Sequence, residues 1–303
     1  MIDKLELLLH LAREQHFGKA AQAAGVSQPT LSSTVKSLEE HFGVAIVERG
    51  SRFRRFTPEG ECVLLFARRV TADMRAMRQE LQASHRELTG ELRIGVIPTA
   101  LPAVTEMTLP FREAHAGVTY RIASLTSNQI LRKLTDLDMD IGISYLDGEP
   151  LGGFRGIPLY EERYALLVPP EGPFKERETI TWKEAGGLEL CQLSADMQNR
   201  RLIERHLREA GAELKCTVES NSMLLLYAHV RSGAWASIIP VRFADEFKRP
   251  GLLRAIPLVE PDVRHSVGIL LPDRNTHTPI ISRFIAAAER TFSTTPRHAA
   301  AVS

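Results

Sequence analysis

Residues 17–60 read FGKAAQAAGVSQPTLSSTVKSLEEHFGVAIVERGSRFRRFTPEG, and the organisation of the chain follows from how this stretch folds. Lys19 to Ala24 is an alanine-rich helix whose small side chains let a second helix approach closely. Gly25 supplies the left-handed residue of a tight turn. Ser27 is placed to cap the next helix, and Pro29 sits in its first turn, where a missing amide hydrogen costs nothing. That helix is predicted from Gln28 to about Phe42. Leu31, Val35, Leu38 and Phe42 recur at helical spacing and form its buried stripe. Gln28, Thr30, Ser32, Ser33 and Lys36 are left toward solvent, with Pro29 beside them. These residues suit base-edge and phosphate contact, since Gln pairs bidentately with adenine, hydroxyls serve base or phosphate, and a helix N-terminus favours a phosphate. A solvated helix face explains the same polarity when taken alone. The following segment tips the balance. Val44 to Val47 and Phe53 to Phe56 alternate like two strands around Gly50-Ser51, with Arg49, Arg52, Arg54 and Arg55 at and after the bend. A basic wing beside a recognition helix makes Arg52 and Arg54 further candidates for DNA contact.

Upstream, Ile2, Leu5, Leu8, Leu9 and Ala12 mark an amphipathic first helix. Downstream, Thr57 caps and Pro58 opens a long helix in which Val63, Ala67, Val70, Met74, Met77 and Leu81 alternate spacings of four and three; Leu88 rejoins the series after Ser84. A seam of this period predicts a two-helix coiled coil, which would pair two wings on two half-sites.

With 303 residues, 44% of them hydrophobic, the chain is long enough for two or three domains. A formal net charge of +1 confines any nucleic-acid contact to a local patch. The N-terminus lacks the order of a signal peptide and no run is long enough for a membrane span, so a soluble, cytoplasmic protein is expected. Cys62, Cys191 and Cys216 are too far apart for a zinc or disulfide pattern. They are expected to be reduced core thiols, a redox pair between Cys191 and Cys216 being the alternative.

Residues 2–60 closely resemble the winged helix-turn-helix of LysR-type transcriptional regulators, through F-G-K-A-A-Q-A-A-G-V-S-Q-P-T-L-S and the later V-E-R and T-P-E-G. Where that family commonly has Arg-Gln after L-S, this chain has Ser33-Thr34, so family operator preferences transfer only loosely. The resemblance implies that the long helix is the family's dimerising linker.

Beyond Thr89-Gly90, read as a hinge, strands and helices alternate. Strands are expected at Leu92–Ile97, Val118–Ala123, Met139–Ser144, Arg163–Val168, Leu188–Leu193, Leu214–Val218, Trp235–Ile239 and His265–Leu271. Helices are expected at Leu101–Ala114, Ser127–Leu137, about Asp196–Ala210, about Ser222–Arg231 and about Thr278–Phe292. This alternation predicts two α/β lobes with parallel sheets and a cleft beyond the carboxyl ends of the strands. Pro98, Thr99, Thr126, Ser127, Ser194, Met197, Glu219 and Asn221 fall at that end and are the candidate effector-binding residues. Hydroxyls and helix N-termini suit a small anion, although each is equally readable as a helix cap. L-R-I-G-V-I-P-T at 92–99 and L-D-M-D-I-G-I at 137–143 also resemble the LysR-type effector domain, which implies effector contacts at Thr99, Ser127 and the loop 194–197. Ser124-Leu125 replaces the glutamate-glycine often found there. Arg200 and Arg201 are expected on a helix surface rather than capping an anion. The run 194–201, with Y-L-D-G-E-P at 145–150, resembles regulators that accompany formate dehydrogenase genes.

The resulting architecture is a winged helix-turn-helix at 1–57, a linker helix at 58–88 and a two-lobed, periplasmic-binding-protein-like α/β effector domain at 89–303. Lobe I would span about 91–160 and 265–293, lobe II about 161–264. The expected function is transcriptional regulation as a homodimer or homotetramer. Its partners would be promoter DNA, a small organic anion and, as a further candidate, RNA polymerase, with no cofactor, metal or membrane. A solute-binding protein shares the two-lobed cleft, but the winged domain and the absent signal peptide speak against it. No glycine-rich phosphate loop, G-x-S-x-G elbow or close metal set suggests an enzyme. His206 and His265 read as ordinary packing or surface residues.

Overall fold

The computed structural model describes residues 1–49, 53–83, 88–246, 252–272 and 277–294. The chain divides into two units, Met1–Arg86 and Glu87–Ser303.

In the first unit, helices α1 (Ile2–Glu14), α2 (Phe17–Ala23) and α3 (Gln28–Phe42) precede strands β1 (Val47–Arg49) and β2 (Phe53–Phe56), and helix α4 (Pro58–Ala83) follows. The local signals act as the residue types dictate. Gly25 takes φ 67° in the turn. The Ser27 hydroxyl accepts from Thr30 N at 3.2 Å, and Thr57 Oγ1 accepts from Gly60 N at 2.9 Å, so both caps form. His16 adds an unforeseen cap, its Nδ1 accepting from Gly18 N and Lys19 N. Leu5, Leu8, Leu11, Leu31, Val35, Leu38 and Ile46 close one core. Phe42 does not join it and is 44% exposed. The helix ends there at Gly43, φ 69°, and the returning chain fills the core with Ile46 and Val47 instead.

The α4 seam is divided between two tasks. Leu64, Ala67 and Thr71 are buried against the unit's own core, with Val63 partly so. Phe66, Val70, Met77 and Leu81 are exposed along the helix. Leu88, read as rejoining the seam, is instead buried in the core of the second unit, and Ser84 lies outside the described residues.

The second unit begins with β3 (Gly90–Val96), α5 (Leu101–Ala114), β4 (Val118–Ser124), α6 (Ser127–Thr135) and β5 (Ile141–Tyr145). Strands β6 (Phe154–Glu162), β7 (Tyr164–Val168) and β8 (Ile180–Thr181), helix α7 (Trp182–Gly186), strand β9 (Leu190–Leu193), helix α8 (Gln198–Glu209) and strand β10 (Cys216–Ser220) follow. The unit closes with α9 (Met223–Arg231), β11 (Ser237–Pro240), α10 (Val241–Asp245), β12 (Arg254–Val259), β13 (His265–Pro272) and α11 (Pro279–Thr294).

Lobe I is a five-stranded sheet in the order β4-β3-β5-β13-β6. Strands β4, β3, β5 and β6 run in one direction and β13, inserted between β5 and β6, runs antiparallel to both, which corrects the expectation of a parallel sheet. The reason is topological: β6 leaves lobe I and β13 returns to it, so both crossing segments are recruited as strands. Strand β6 is not among the strands expected from the sequence; it is the sheet edge, where Pro158 costs no ladder bond. Lobe II holds β11-β7-β12-β8 and the parallel pair β9-β10, joined where Cys191 N donates to Ala236 O. The two lobes have separate cores, and α8 serves both: Ile203 and Leu207 are buried with lobe II, Leu202 with lobe I.

Candidate DNA-reading face and effector cleft

On α3, Gln28, Pro29, Thr30, Ser32, Ser33 and Lys36 are all exposed. Local bonds already hold some of them: Thr30 Oγ1 lies 2.8 Å from Ser27 Oγ, Ser33 Oγ donates to Thr30 O at 2.9 Å, and Lys36 pairs with Glu40 at 3.7 Å. Thr34 is buried. Of the Ser33-Thr34 pair, then, only Ser33 can reach DNA. In the wing Arg54 and Arg55 are exposed, and Arg55 bonds Glu48 at 2.7 Å. Arg52 lies outside the described residues, as does the Arg49 side chain. Replacing Gln28 with Ala is expected to weaken binding to the cognate promoter about tenfold while leaving scrambled DNA unaffected, as loss of one bidentate base pairing does. Arg54→Ala is expected to weaken both equally and flatten the salt dependence. Fluorescence anisotropy on the two DNAs checks this, and equal losses for Gln28→Ala would remove it from base readout.

In lobe I, the candidate residues gather at the carboxyl ends of adjacent strands. Pro98 and Thr99 sit in a short 3-10 turn after β3, and Thr126 and Ser127 open α6 after β4. Thr126 is a helix cap, accepting from Gln129 N at 3.1 Å, while Gln129 Oε1 accepts from Thr126 N. Thr99 and Ser127 are different. Both are buried, and the hydroxyl of each has no hydrogen-bond partner in the structure. Ser144, at the end of β5, is a third residue of this kind that sequence reading missed. The alternation Gly142-Ile143-Ser144 carries the signal for it. Ile143 belongs to the lobe core, while Gly142 and Ser144 point to the opposite face, where a Cβ at Gly142 would meet Ile130 and Leu134 of α6. Buried hydroxyls normally find partners, so three orphans at one end of a sheet indicate a place for an external acceptor or donor.

In lobe II, Ser194 N donates to Ser220 O, Ser194 Oγ bonds Asp196 at 2.6 Å, and Met197 is buried at the start of α8. Asn221 is exposed, and so is Glu219, which lies 3.6 Å from Arg200. The surface expectation fails for Arg200, while Arg201 keeps a side chain 31% exposed but is bound across the lobes. Arg200 is 7% exposed and binds Glu204, Leu193 O and Cys216 Sγ. Arg201 grips Glu149 of lobe I through two bonds of 2.7 and 3.0 Å. Neither guanidinium is available to an anion while these bonds hold.

The chain matches two family models, "Bacterial regulatory helix-turn-helix protein, lysR family" over residues 2–61 and "LysR substrate binding domain" over residues 85–293. It belongs to the LysR family of transcriptional regulators. The DNA-binding transcriptional dual regulator OxyR of Escherichia coli is 28% identical over 290 residues, 95% of this chain and 93% of that one. A probable nitrogen assimilation transcriptional activator of Synechococcus elongatus is 26% identical, covering 93% and 92%. Among solved structures, a cysteine-to-aspartate variant of full-length OxyR from Pseudomonas aeruginosa matches with TM-score 0.73 and 26% identity, over 97% of this chain and 98% of that one. As a LysR-type regulator the chain is a DNA-binding protein with an effector-binding domain. Among the described residues no helix is long and apolar enough to cross a membrane.

The cysteines of this LysR-type regulator are free thiols, Cys62 exposed, Cys191 buried and Cys216 part-buried. Cys216 pairs with Leu190 and Val218 with Cys191, with a register shift between Cys216 and Val218, and the Cys216 thiol accepts from Arg200 and donates to Val218 O at 3.2 Å. The Cys191 thiol is buried against Leu226 of α9. Burial also pushes the Cys191 thiol up to about 11, far from a reactive thiolate.

Proposed function

We propose that this LysR-type regulator responds to a small, oxygen-rich effector, an organic anion, held reversibly between the lobes by Thr99, Ser127 and Ser144 with the amino end of α6. Pro98, Ser194 and Met197 would shape the walls; Thr126 contributes as a cap, and Glu219 and Asn221 lie at the margin. The observation that carries the reading is the set of buried hydroxyls without partners. Recognition would rest on hydroxyls and backbone amides, since Arg200 and Arg201 are engaged. Two copies joined through α4 would place two reading heads on promoter DNA, and ligand-driven movement of the lobes would change their spacing.

A thermal-shift screen of small carboxylates, formate included, followed by calorimetry, tests the site. A hit is expected to lose about tenfold or more in affinity in Thr99→Val and in Ser144→Ala, as removal of a buried hydrogen-bonding partner does. Full affinity in both variants would move the site elsewhere. Peroxide sensing is the second reading, favoured by the names of the relatives called hydrogen peroxide-inducible genes activators. It requires a thiol reactive toward peroxide. Mass spectrometry after peroxide treatment separates the readings: the organic-anion reading expects Cys191 and Cys216 unchanged, and a sulfenate or disulfide on either would favour the peroxide one.

A further inference from the structure

Helix α8 joins lobe II to lobe I through polar side chains as well as Leu202. Gln198 Nε2 donates to Asp147 O at 3.1 Å, Asn199 Nδ2 donates to Tyr145 OH at 2.9 Å, Arg201 holds Glu149, and Arg205 reaches Gly148 O at 3.5 Å. At its far end stands a chain of four titratable groups. His206 Nδ1 lies 3.1 Å from Glu209 Oε2, His206 Nε2 lies 2.8 Å from His265 Nε2, and His265 Nδ1 lies 3.1 Å from Asp147 Oδ1. Both histidines are 8% exposed.

Counting protons decides what this chain does. A carboxylate can only accept, so each Nδ1 must carry hydrogen, and the Nε2 to Nε2 contact needs one more. Two neutral imidazoles have two ring protons for three contacts. One added proton completes all three. A second added proton sets two N–H groups and two positive charges against each other across 2.8 Å.

We propose that His206 and His265 form a proton-counting latch between the lobes, closed while the pair carries no more than one added proton and opened when a second is forced on. The claim concerns the joint and is independent of what fills the cleft. The groups facing the pair are Glu209 and Arg205 from α8, Asp147 after β5, Tyr145 from β5, Glu162 from β6 and Tyr164 from β7. Burial first, then the charges of His265 and Arg205, hold His206 below the ordinary histidine value, with Glu209 opposing. A group held low stabilises the joint above its ordinary value and ceases to as pH falls through the lower one, so acidification opens the latch. The loop 194–197 runs directly into α8, so the latch acts on the element that carries one wall of the cleft.

Trp182, whose ring lies 5.3 Å from that of His206, reports the second proton, because an imidazolium quenches indole emission. The chain has two tryptophans, so the full-length Trp235→Phe variant leaves Trp182 alone. Its emission is expected to fall in a single transition below about pH 6.5, with amide exchange of residues 198–209, corrected for intrinsic rates, rising about tenfold over the same range. His206→Gln should abolish the emission transition. His265→Gln should move it upward, since the ring nitrogen that a protonated His206 Nε2 would face is removed. Glu162 is pushed up to about 7 by burial and titrates nearby, so Glu162→Gln serves as the separating variant and should leave the transition in place. If His206→Gln fails to fold, the His265→Gln shift and the wild-type exchange still decide. Exchange of α8 independent of pH, a transition unmoved in both histidine variants, or its loss in Glu162→Gln would overturn the latch.

Discussion

Gly60→Ala is expected to detach the wing and abolish DNA binding while leaving the second unit intact. Gly60 lies in the first turn of α4, directly under the chain leading into β1. A Cβ there would stand 2.1 Å from Ile46 O and 2.9 Å from Ile46 C. Both are backbone atoms and cannot rotate aside. They are also tied down: Thr57 N donates to Ile46 O at 3.0 Å, and Thr57 Oγ1 donates to Ala45 O at 2.6 Å while accepting from Gly60 N. The four residues Thr57 to Gly60 thus form one device, in which threonine caps, proline starts the helix and glycine admits the neighbouring strand. Overpacking costs about 1–3 kcal/mol, and rigid backbone puts this case at the upper end. For a unit of this size that lowers the midpoint of unfolding by roughly 10–20 °C. Calorimetry resolving the two units checks it, and a first-unit midpoint within about 2 °C of wild type would show that the strand yields easily.

Met77→Asp is expected to dissociate the assembly without unfolding the chain. Phe66 (55% exposed), Val70 (43%), Met77 (50%) and Leu81 (61%) form a stripe on α4 at spacings of four and seven. The opposite side, Leu64, Ala67 and Thr71, is buried within the unit. A stripe of this period is what a partner helix covers, and in a paired arrangement the substitution puts two carboxylates into one apolar seam. Because Met77 is half exposed in the single chain, its own unit loses little. Multi-angle light scattering should read the monomer mass at micromolar concentration, and promoter affinity should fall about a hundredfold or more as the second head is lost. An unchanged mass would mean that the chains associate elsewhere.

Reading the residues in order located the caps, the turn glycines and the order of α/β elements closely, because each depends on neighbours a few positions away. Ser27 and Thr57 cap, and Thr99 and Ser127 lie at strand ends, as their positions predict. The misses share one cause. Phe42, Thr34 and Leu88 have side-chain periodicity consistent with either burial or exposure, and which of these occurs depends on segments that arrive from elsewhere. Ser144 looked like one more residue of an apolar strand. The alternation Gly142-Ile143-Ser144 sets its face, and the packing of α6 over that face leaves its hydroxyl unbonded.

Returning to residues 17–60, the sequence by itself determined a helix-turn-helix with a basic wing, the long helix after it and an α/β domain beyond, because helix caps, glycine turns and hydrophobic periods are local physical constraints. Only the tertiary structure decided that Arg200 and Arg201 are spent within the protein and that His206 meets His265. Arg201 and Glu149 lie 52 positions apart, and His206 and His265 lie 59 apart. Burial and distance between such groups are properties of the packed chain, and no local pattern encodes them.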